Sequence, residues 1–254
     1  MRGLATEPTE RKRLDILLVE RGLAPTRSQA RDMIRRGLVS IADAPVTKAG
    51  TAVACDAPLS VAEGAGAYVS RGAEKLATAL DHFGFDPEGR QVLDIGASTG
   101  GFTDLLLARG AARVWAVDVG HGQLHDRLAA DPRVVALEGV DARDLTPELV
   151  PGPVEAIVAD VSFISLTLVL PKVLALTAPG TWLVALIKPQ FEAGRDALGK
   201  GGIVRDPAAW ARATDKVGGW LAAQPEWIVD GVIPSPIEGA GGNREFLIGA
   251  RHGR

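Results

Sequence analysis

The run Asp94-Ile95-Gly96-Ala97-Ser98-Thr99-Gly100-Gly101-Phe102 links an apolar stretch, Val92 to Ile95, to a second one ending at Arg109-Gly110. Strand, turn and helix is the order this pattern predicts. Glycines let the main chain turn sharply and approach a ligand, and the first helical turn offers unpaired N–H groups to an anion. Against the dinucleotide fingerprint G-x-G-x-x-G, Ser98 stands where the second glycine belongs. Asp94 would be a poor neighbour for a pyrophosphate, yet it is a good acceptor for an ammonium group. A ligand carrying ammonium and carboxylate together fits this turn, and S-adenosyl-L-methionine is such a ligand.

Two further acids point the same way. Asp118 ends the run Val114-Trp115-Ala116-Val117, 22 residues after Gly96, near the ~20-residue spacing of a ribose-binding carboxylate. Asp141 follows Val134 to Leu137, where it is expected to meet an adenine amino group. Each acid alone would be an ordinary loop residue. Three at successive strand ends predict a nucleoside-bearing cofactor held by Asp94, Gly96, Ser98, Thr99, Gly100, Gly101, Phe102, Asp118 and Asp141.

A different chemistry sits near the N-terminus. Residues 11–48 hold nine Lys/Arg and four Asp/Glu, whereas residues 61–254 hold 18 basic and 24 acidic residues. A cationic head on an acidic body predicts contact with a polyanion. Leu14, Leu17 and Leu18 mark a short helix stopped by Gly22. A second helix starts at Thr26, with Gln29 three residues on in capping-box position, an apolar stripe at Ala30, Met33 and Ile34, and a stop at Gly37. Arg27, Arg31 and Arg35 then project from one face with Arg36 beside them. A hairpin is expected beyond, Leu38 to Ile41 and Val46 to Lys48 around a turn at Asp43-Ala44-Pro45. Arginine suits bidentate phosphate contacts, so Arg13, Arg27, Arg31, Arg35, Arg36 and Lys48 are the candidate contacts to the phosphates of a polyanion.

The elements that must carry these residues fall into two regions. A small-residue, glycine-rich stretch at 62–67 is the expected linker between a head at 11–61 and a body at 68–254. In the body, strands at Val92–Ile95, Val114–Val119, Val134–Leu137, Ile157–Val161, Trp182–Ile187 and Phe246–Ala250 alternate with helices near 73–83, 166–176 and 207–223. Such alternation predicts a Rossmann-like, doubly wound α/β sheet, which binds ligands at the carboxyl ends of its strands. The head reads as a small α+β domain.

Composition excludes other classes. The chain has 254 residues, 46% hydrophobic and 23% charged. Its longest uncharged apolar stretch, Val173 to Ile187, is broken by Pro179-Gly180 and falls short of the ~20 residues of a membrane span. The first residues have no apolar core of a secretory signal, so the cytoplasm is expected. A lone cysteine, Cys55, rules out an intrachain disulfide and a multi-thiolate metal site, and no metal is expected.

The head, through Arg13-Leu14-Asp15 and Ser28-Gln29-Ala30-Arg31-Asp32-Met33-Ile34-Arg35-Arg36-Gly37-Leu38-Val39, resembles the S4 RNA-binding domain. That resemblance implies docking on structured RNA through phosphates and shape. Head and body together resemble the TlyA family, also called hemolysin A, whose catalytic domain is of the FtsJ-like ribose 2′-O-methyltransferase type. The resemblance rests on Tyr68 to Leu76, Asp94 to Thr103, Asp118 to Leu124, Ala159 to Ser165, Lys188 to Glu192 and Gly242 to Phe246. It implies methylation of ribosomal RNA or ribosomal subunits, with the family's Lys-Asp-Lys-Glu tetrad falling on Lys75, Asp160, Lys188 and Glu245.

The tetrad suits the chemistry. A ribose 2′-hydroxyl must lose its proton as it attacks a sulfonium methyl, and a neutral lysine can take that proton. Asp160 and Lys188 each end an apolar strand, so both are expected at one sheet edge. Three rival readings remain at this level: an RNA-binding protein with a vestigial body, a pore-forming hemolysin, and a nicotinamide oxidoreductase. No spanning segment supports the second, and Ser98 and Asp94 disfavour the third.

Overall fold

The computed structural model describes residues 10–62 and 66–253. The chain divides into two compact units between Ser70 and Arg71. Of the expected linker at 62–67, residues 63–65 lie outside the described residues.

The first unit contains β1 (Arg11–Arg13), α1 (Leu14–Glu20), α2 (Arg27–Arg35), β2 (Val39–Ile41), β3 (Ala44–Pro45), β4 (Ala52–Ala54) and β5 (Leu59–Val61). β1 pairs with β4, and β2 lies between β3 and β5, all antiparallel. The i, i+3, i+4 leucines of α1 pack on Ala30, Met33 and Ile34 of α2, with Val39 and Val53 closing the core. Thr26 caps α2 by accepting the Gln29 amide hydrogen at 3.2 Å. The Gln29 side chain donates instead to the Val69 carbonyl at 3.0 Å.

The hairpin departs from expectation. Ala42 and Asp43 both have positive φ, 48° and 66°, which makes a two-residue turn whose twist matches its strands. The return strand is therefore Ala44–Pro45, and Val46 to Lys48 is not a strand. β1, β4 and β5 have three residues each, too few to show an alternation in the sequence.

The second unit contains α3 (Gly72–Phe83), β6 (Gln91–Ile95), α4 (Gly101–Ala108), β7 (Arg113–Asp118), α5 (Asp126–Ala129), β8 (Val134–Glu138), β9 (Val154–Ala159), α6 (Leu166–Leu174), β10 (Thr177–Ile187), α7 (Pro189–Glu192), α8 (Pro207–Ala222), β11 (Trp227–Pro234) and β12 (Phe246–His252). Its seven strands run in the order β11-β12-β10-β9-β6-β7-β8. Six run in one direction, and β12 alone is reversed, antiparallel to both its neighbours. Strand order reverses between β6 and β9, the place where such sheets bind ligands.

Alternation along the strands assigns the two faces. Leu93, Ile95, Trp115, Val117, Ile157, Ala159, Leu183, Ala185 and Ile187 pack on α6 and α8. The opposite set turns toward α3 and α4: Asp94 bonds to Thr103 of α4, and a Cβ on Gly249 would stand 2.6 Å from the Phe83 ring. β9 begins three residues earlier than expected and stops at Ala159, which leaves Asp160 and Val161 in the following loop. β11 was not expected. It is an edge strand with a bulge between Val229 and Gly231, and Asp230 and Pro234 interrupt its apolar pattern.

Candidate active site

The turn after β6 folds back onto β7. The Gly96 and Ala97 amides donate to the Val117 carbonyl at 2.8 and 3.1 Å, and Ser98 takes a φ of 47° between Gly96 at 79° and Gly100 at 94°. Asp118 latches the turn from the end of β7. Its Oδ2 accepts from the Ser98 amide at 2.8 Å and its Oδ1 from the Gly120 amide at 2.7 Å. Carboxylate oxygens accept more than one hydrogen bond, so both keep capacity toward the adjoining space.

That space is a cleft of about 450 Å³ whose walls include Gly96, Ser98, Asp118, Val119, Asp141 and Asp160. Of the nine residues expected to hold a cofactor, Gly96, Ser98, Asp118 and Asp141 line it. Asp141 does so with its carboxylate engaged bidentately by Arg143, at 3.0 Å to Nε and 2.5 Å to Nη2, which holds it below the usual carboxylate range. Thr99 is exposed, and its carbonyl accepts from the His125 amide at 3.3 Å. Gly100, Gly101 and Phe102 are buried where α4 begins, with Gly100 against Leu124 and Leu128.

Asp94 lies beneath the turn instead of on the cleft wall. It is fully buried, its Oδ2 accepts from the Thr103 hydroxyl at 2.6 Å, and its Oδ1 has no protein partner. Burial, aided by the charges of Asp160 and Asp118 and opposed by Thr103, pushes its carboxyl up to about 7.

A second cavity adjoins the first at Ser162, Phe163 and Ile164, and Lys75, Lys188 and Glu245 line it. Topology explains the convergence. β9 and β10 are parallel neighbours, so Asp160 and Lys188 leave the sheet at the same edge, and Ile187 faces Phe246 across antiparallel β12, so Glu245 enters at that edge too. Lys75 comes from the first turn of α3.

The four residues form two ion pairs. Lys75 Nζ is 2.5 Å from Glu245 Oε2, and both side chains are nearly enclosed. Lys188 Nζ is 2.6 Å from Asp160 Oδ1 and donates to Ser162 Oγ at 2.8 Å. Asp160 belongs to the walls of the first cleft and Lys188 to those of the second. The pair therefore bridges them.

Several contributors have no distinct signature in the sequence. Phe163, at the junction of the two cavities, is 90% exposed with φ 67°, and its ring lies 5.1 Å from that of Phe191. Glu192 is buried and accepts from Ser165 Oγ, the Leu166 amide and Lys216 Nζ at 2.6, 2.7 and 2.8 Å, which ties the start of α6 and α8 to α7, the short helix that follows Lys188. Asn243 accepts from the Val204 amide at 2.9 Å and donates to the Gly202 carbonyl at 3.2 Å. It thereby anchors the glycine-rich 194–202 segment beside Glu245. Only the motif blocks containing these residues were visible in advance.

In the first unit the candidate RNA contacts are organised differently from a free stripe. Arg13, Arg27 and Arg31 all pair with the buried Asp15 at 2.9 Å. Arg35 and Arg36 reach Asp32 at 3.5 and 3.8 Å. Lys48 is exposed in the loop before β4.

Residues 68–252 match the FtsJ-like methyltransferase family and residues 12–54 the S4 domain. A Mycobacterium tuberculosis protein named 16S/23S rRNA (cytidine-2′-O)-methyltransferase TlyA is 48% identical over 242 residues, covering 95% of this chain and 90% of the relative. The hemolysin A of Brachyspira hyodysenteriae is 40% identical over 92% of this chain and 98% of its own. Among solved structures, a hemolysin-named protein of Streptococcus thermophilus superposes with a TM-score of 0.74 at 38% identity, covering 97% of this chain and 90% of that one.

Proposed function

Since the chain belongs to the FtsJ-like methyltransferases of the TlyA family, we propose that it transfers the methyl group of S-adenosyl-L-methionine to a ribose 2′-hydroxyl of ribosomal RNA. The observation that carries this reading is the Asp160–Lys188 pair at the junction of two cavities, one suited to the cofactor and one to the target nucleotide.

The residues present fit the cofactor. The cleft lies within the ~300–1,000 Å³ range of small-molecule sites, and the Asp118 carboxylate on its wall keeps acceptor capacity beyond the Ser98 and Gly120 amides. Asp118 would accept from the ribose hydroxyls, the Gly96–Ser98 turn would meet the methionine portion, and Val140 and Asp141 would border the adenine. When bound, S-adenosyl-L-methionine supplies an electrophilic methyl on sulfur.

Lys188 takes the 2′-hydroxyl proton at Nζ as the free amine, so its ammonium first releases a proton to solvent and is re-formed by the transfer. Asp160 and Ser162 fix that amine at 2.6 and 2.8 Å, so the proton acceptor and the attacking oxygen meet in one geometry, and alignment of this kind supplies several kcal/mol. Lys75, held by Glu245, lines the same cavity and orients the nucleotide through its ribose or phosphate oxygens. Phe163 presents an apolar ring where a base lifted from its stack would rest. Two relatives carry hemolysin names, but among the described residues no helix is long and apolar enough to cross a membrane.

The Mycobacterium tuberculosis relative is named for cytidine in both rRNAs, and the same substrate class is proposed here, with the cytoplasm as its setting. The test is transfer of labelled methyl from S-adenosyl-L-methionine to isolated ribosomal subunits, followed by mapping. Label on a ribose 2′-oxygen is expected. Label on a base nitrogen or carbon overturns the assignment.

A further inference from the structure

Asp15, the second residue of α1, is fully buried and takes part in no step proposed for the catalytic unit. Its Oδ1 accepts from Arg13 Nε at 2.9 Å. Its Oδ2 accepts from Arg13 Nη2 at 3.1 Å and from Arg27 Nε and Arg31 Nε at 2.9 Å each. The three cations come from β1 and from two successive turns of α2. Each nevertheless keeps 46–48% of its side chain exposed.

Collecting three guanidiniums around one point is electrostatically costly, and a carboxylate in contact with all three offsets that cost most where water is excluded. Breaking such a buried pairing leaves uncompensated charge. The arginine hydrogen bonds hold the Asp15 carboxyl well below the usual carboxylate range, although burial alone would raise it. Guanidinium is a planar fork of five N–H donors. With Nε turned inward to Asp15, the Nη groups of Arg27 and Arg31 are the donors left to meet a second acceptor.

We infer that Asp15 is a positioning residue for RNA docking: it clamps Arg13, Arg27 and Arg31 so that their outer edges form one pre-arranged surface for RNA phosphate oxygens. The inference rests on the proposed rRNA substrate. It opposes the simpler role of a neutralising counterion, and the two differ in sign. A counterion that merely cancels positive charge weakens polyanion binding, so its removal strengthens binding. A clamp does the reverse.

The experiment uses the full chain carrying Asp15→Asn, with binding to ribosomal RNA followed across salt concentrations. At about 0.15 M salt the variant is expected to bind about tenfold more weakly even though the head has gained one positive charge. KM for ribosomal subunits should rise with kcat unchanged, and S-adenosyl-L-methionine affinity should stay put. Equal or tighter RNA binding overturns the clamp. Arg27→Lys covers the case in which Asp15→Asn does not fold: it keeps the charge and loses the fork. It should weaken binding as much as Arg27→Gln does, and wild-type affinity in Arg27→Lys overturns the clamp equally. A wild-type chain that binds no rRNA overturns the substrate assignment along with it, whereas normal wild-type binding with an unaffected Asp15→Asn overturns the clamp alone.

Discussion

The position a Cβ on Gly96 would occupy lies 2.5 Å from the main-chain oxygen of Asp160. This contact couples the two halves of the site. The turn that would cradle the cofactor presses against the backbone that carries an acid of the ion-paired tetrad, and the Asp160 amide donates back to the Ile95 carbonyl at 2.9 Å.

Gly96→Ala tests that coupling. The new methyl must displace backbone at Asp160, and φ of 79° adds strain for a residue with a side chain. Loss of roughly 1–3 kcal/mol of stability is expected from strain of this kind, with a larger proportional loss of methyl transfer than of cofactor binding, because Asp160 moves. Denaturant unfolding, calorimetric titration and turnover on the same sample separate the three. Wild-type turnover would show that the close approach is incidental.

Asp118→Ala removes both the proposed ribose acceptor and the latch on the Ser98 and Gly120 amides. S-adenosyl-L-methionine binding should weaken by roughly 1–3 kcal/mol, the scale for losing hydrogen bonds to a charged acceptor. Calorimetry with the folded variant reads this directly. Unchanged affinity would mean that the ribose contact lies elsewhere.

The sequence discloses these residues unequally. Asp118, Asp160 and Lys188 were legible because each follows a long apolar strand, and strand ends of one sheet share an edge. Asp94 was legible as the acid before the turn, but its burial was not, because the Thr103 hydroxyl that receives it lies nine residues on and on a different element. The arginine stripe was legible from helical spacing alone. Its clamp was not, since Asp15 meets Arg27 and Arg31 only when α1 and α2 pack, and a sequence period carries no information about that convergence. The edge strand Trp227–Pro234 escaped because Asp230 and Gly231 interrupt its apolar run at a bulge and Pro234 ends it.

Burial of Asp94 predicts a pH dependence with a definite sign. Its carboxyl is raised from 3.8 to about 7, so the folded state holds a proton that the unfolded chain has released. The associated stability is fully present below about pH 4 and is lost as pH rises through about 7, a change on the order of 4 kcal/mol at most. Asp94→Asn keeps an acceptor for Thr103 and cannot ionise. The fall in Tm between pH 5.5 and 8.5 should therefore be smaller in Asp94→Asn than in wild type. Parallel curves for the two proteins would assign the dependence to other groups.

Removal of Lys188 separates an active enzyme from an RNA-binding chain with a vestigial body. Its amine contacts Asp160 at 2.6 Å and Ser162 at 2.8 Å, and a positioned proton acceptor is worth at least ~10²-fold in rate. Lys188→Ala should lose methyl transfer by that factor or more while both ligands still bind. Asp160→Ala should be nearly as damaging, because the amine is then held by Ser162 alone of these two contacts. The double variant should be little worse than either single one, since residues that act as a unit are not additive. Glu245→Gln gives the complementary reading: it loosens Lys75, which lines the same cavity without contacting Asp160 or Lys188 among the described pairs. Its effect should fall more on KM for ribosomal subunits than on kcat, and it should add to that of Lys188→Ala instead of merging with it. Full turnover in Lys188→Ala would assign the 2′-hydroxyl proton to another acceptor, and turnover lost in Glu245→Gln but kept in Lys188→Ala would move the chemistry to the Lys75 pair.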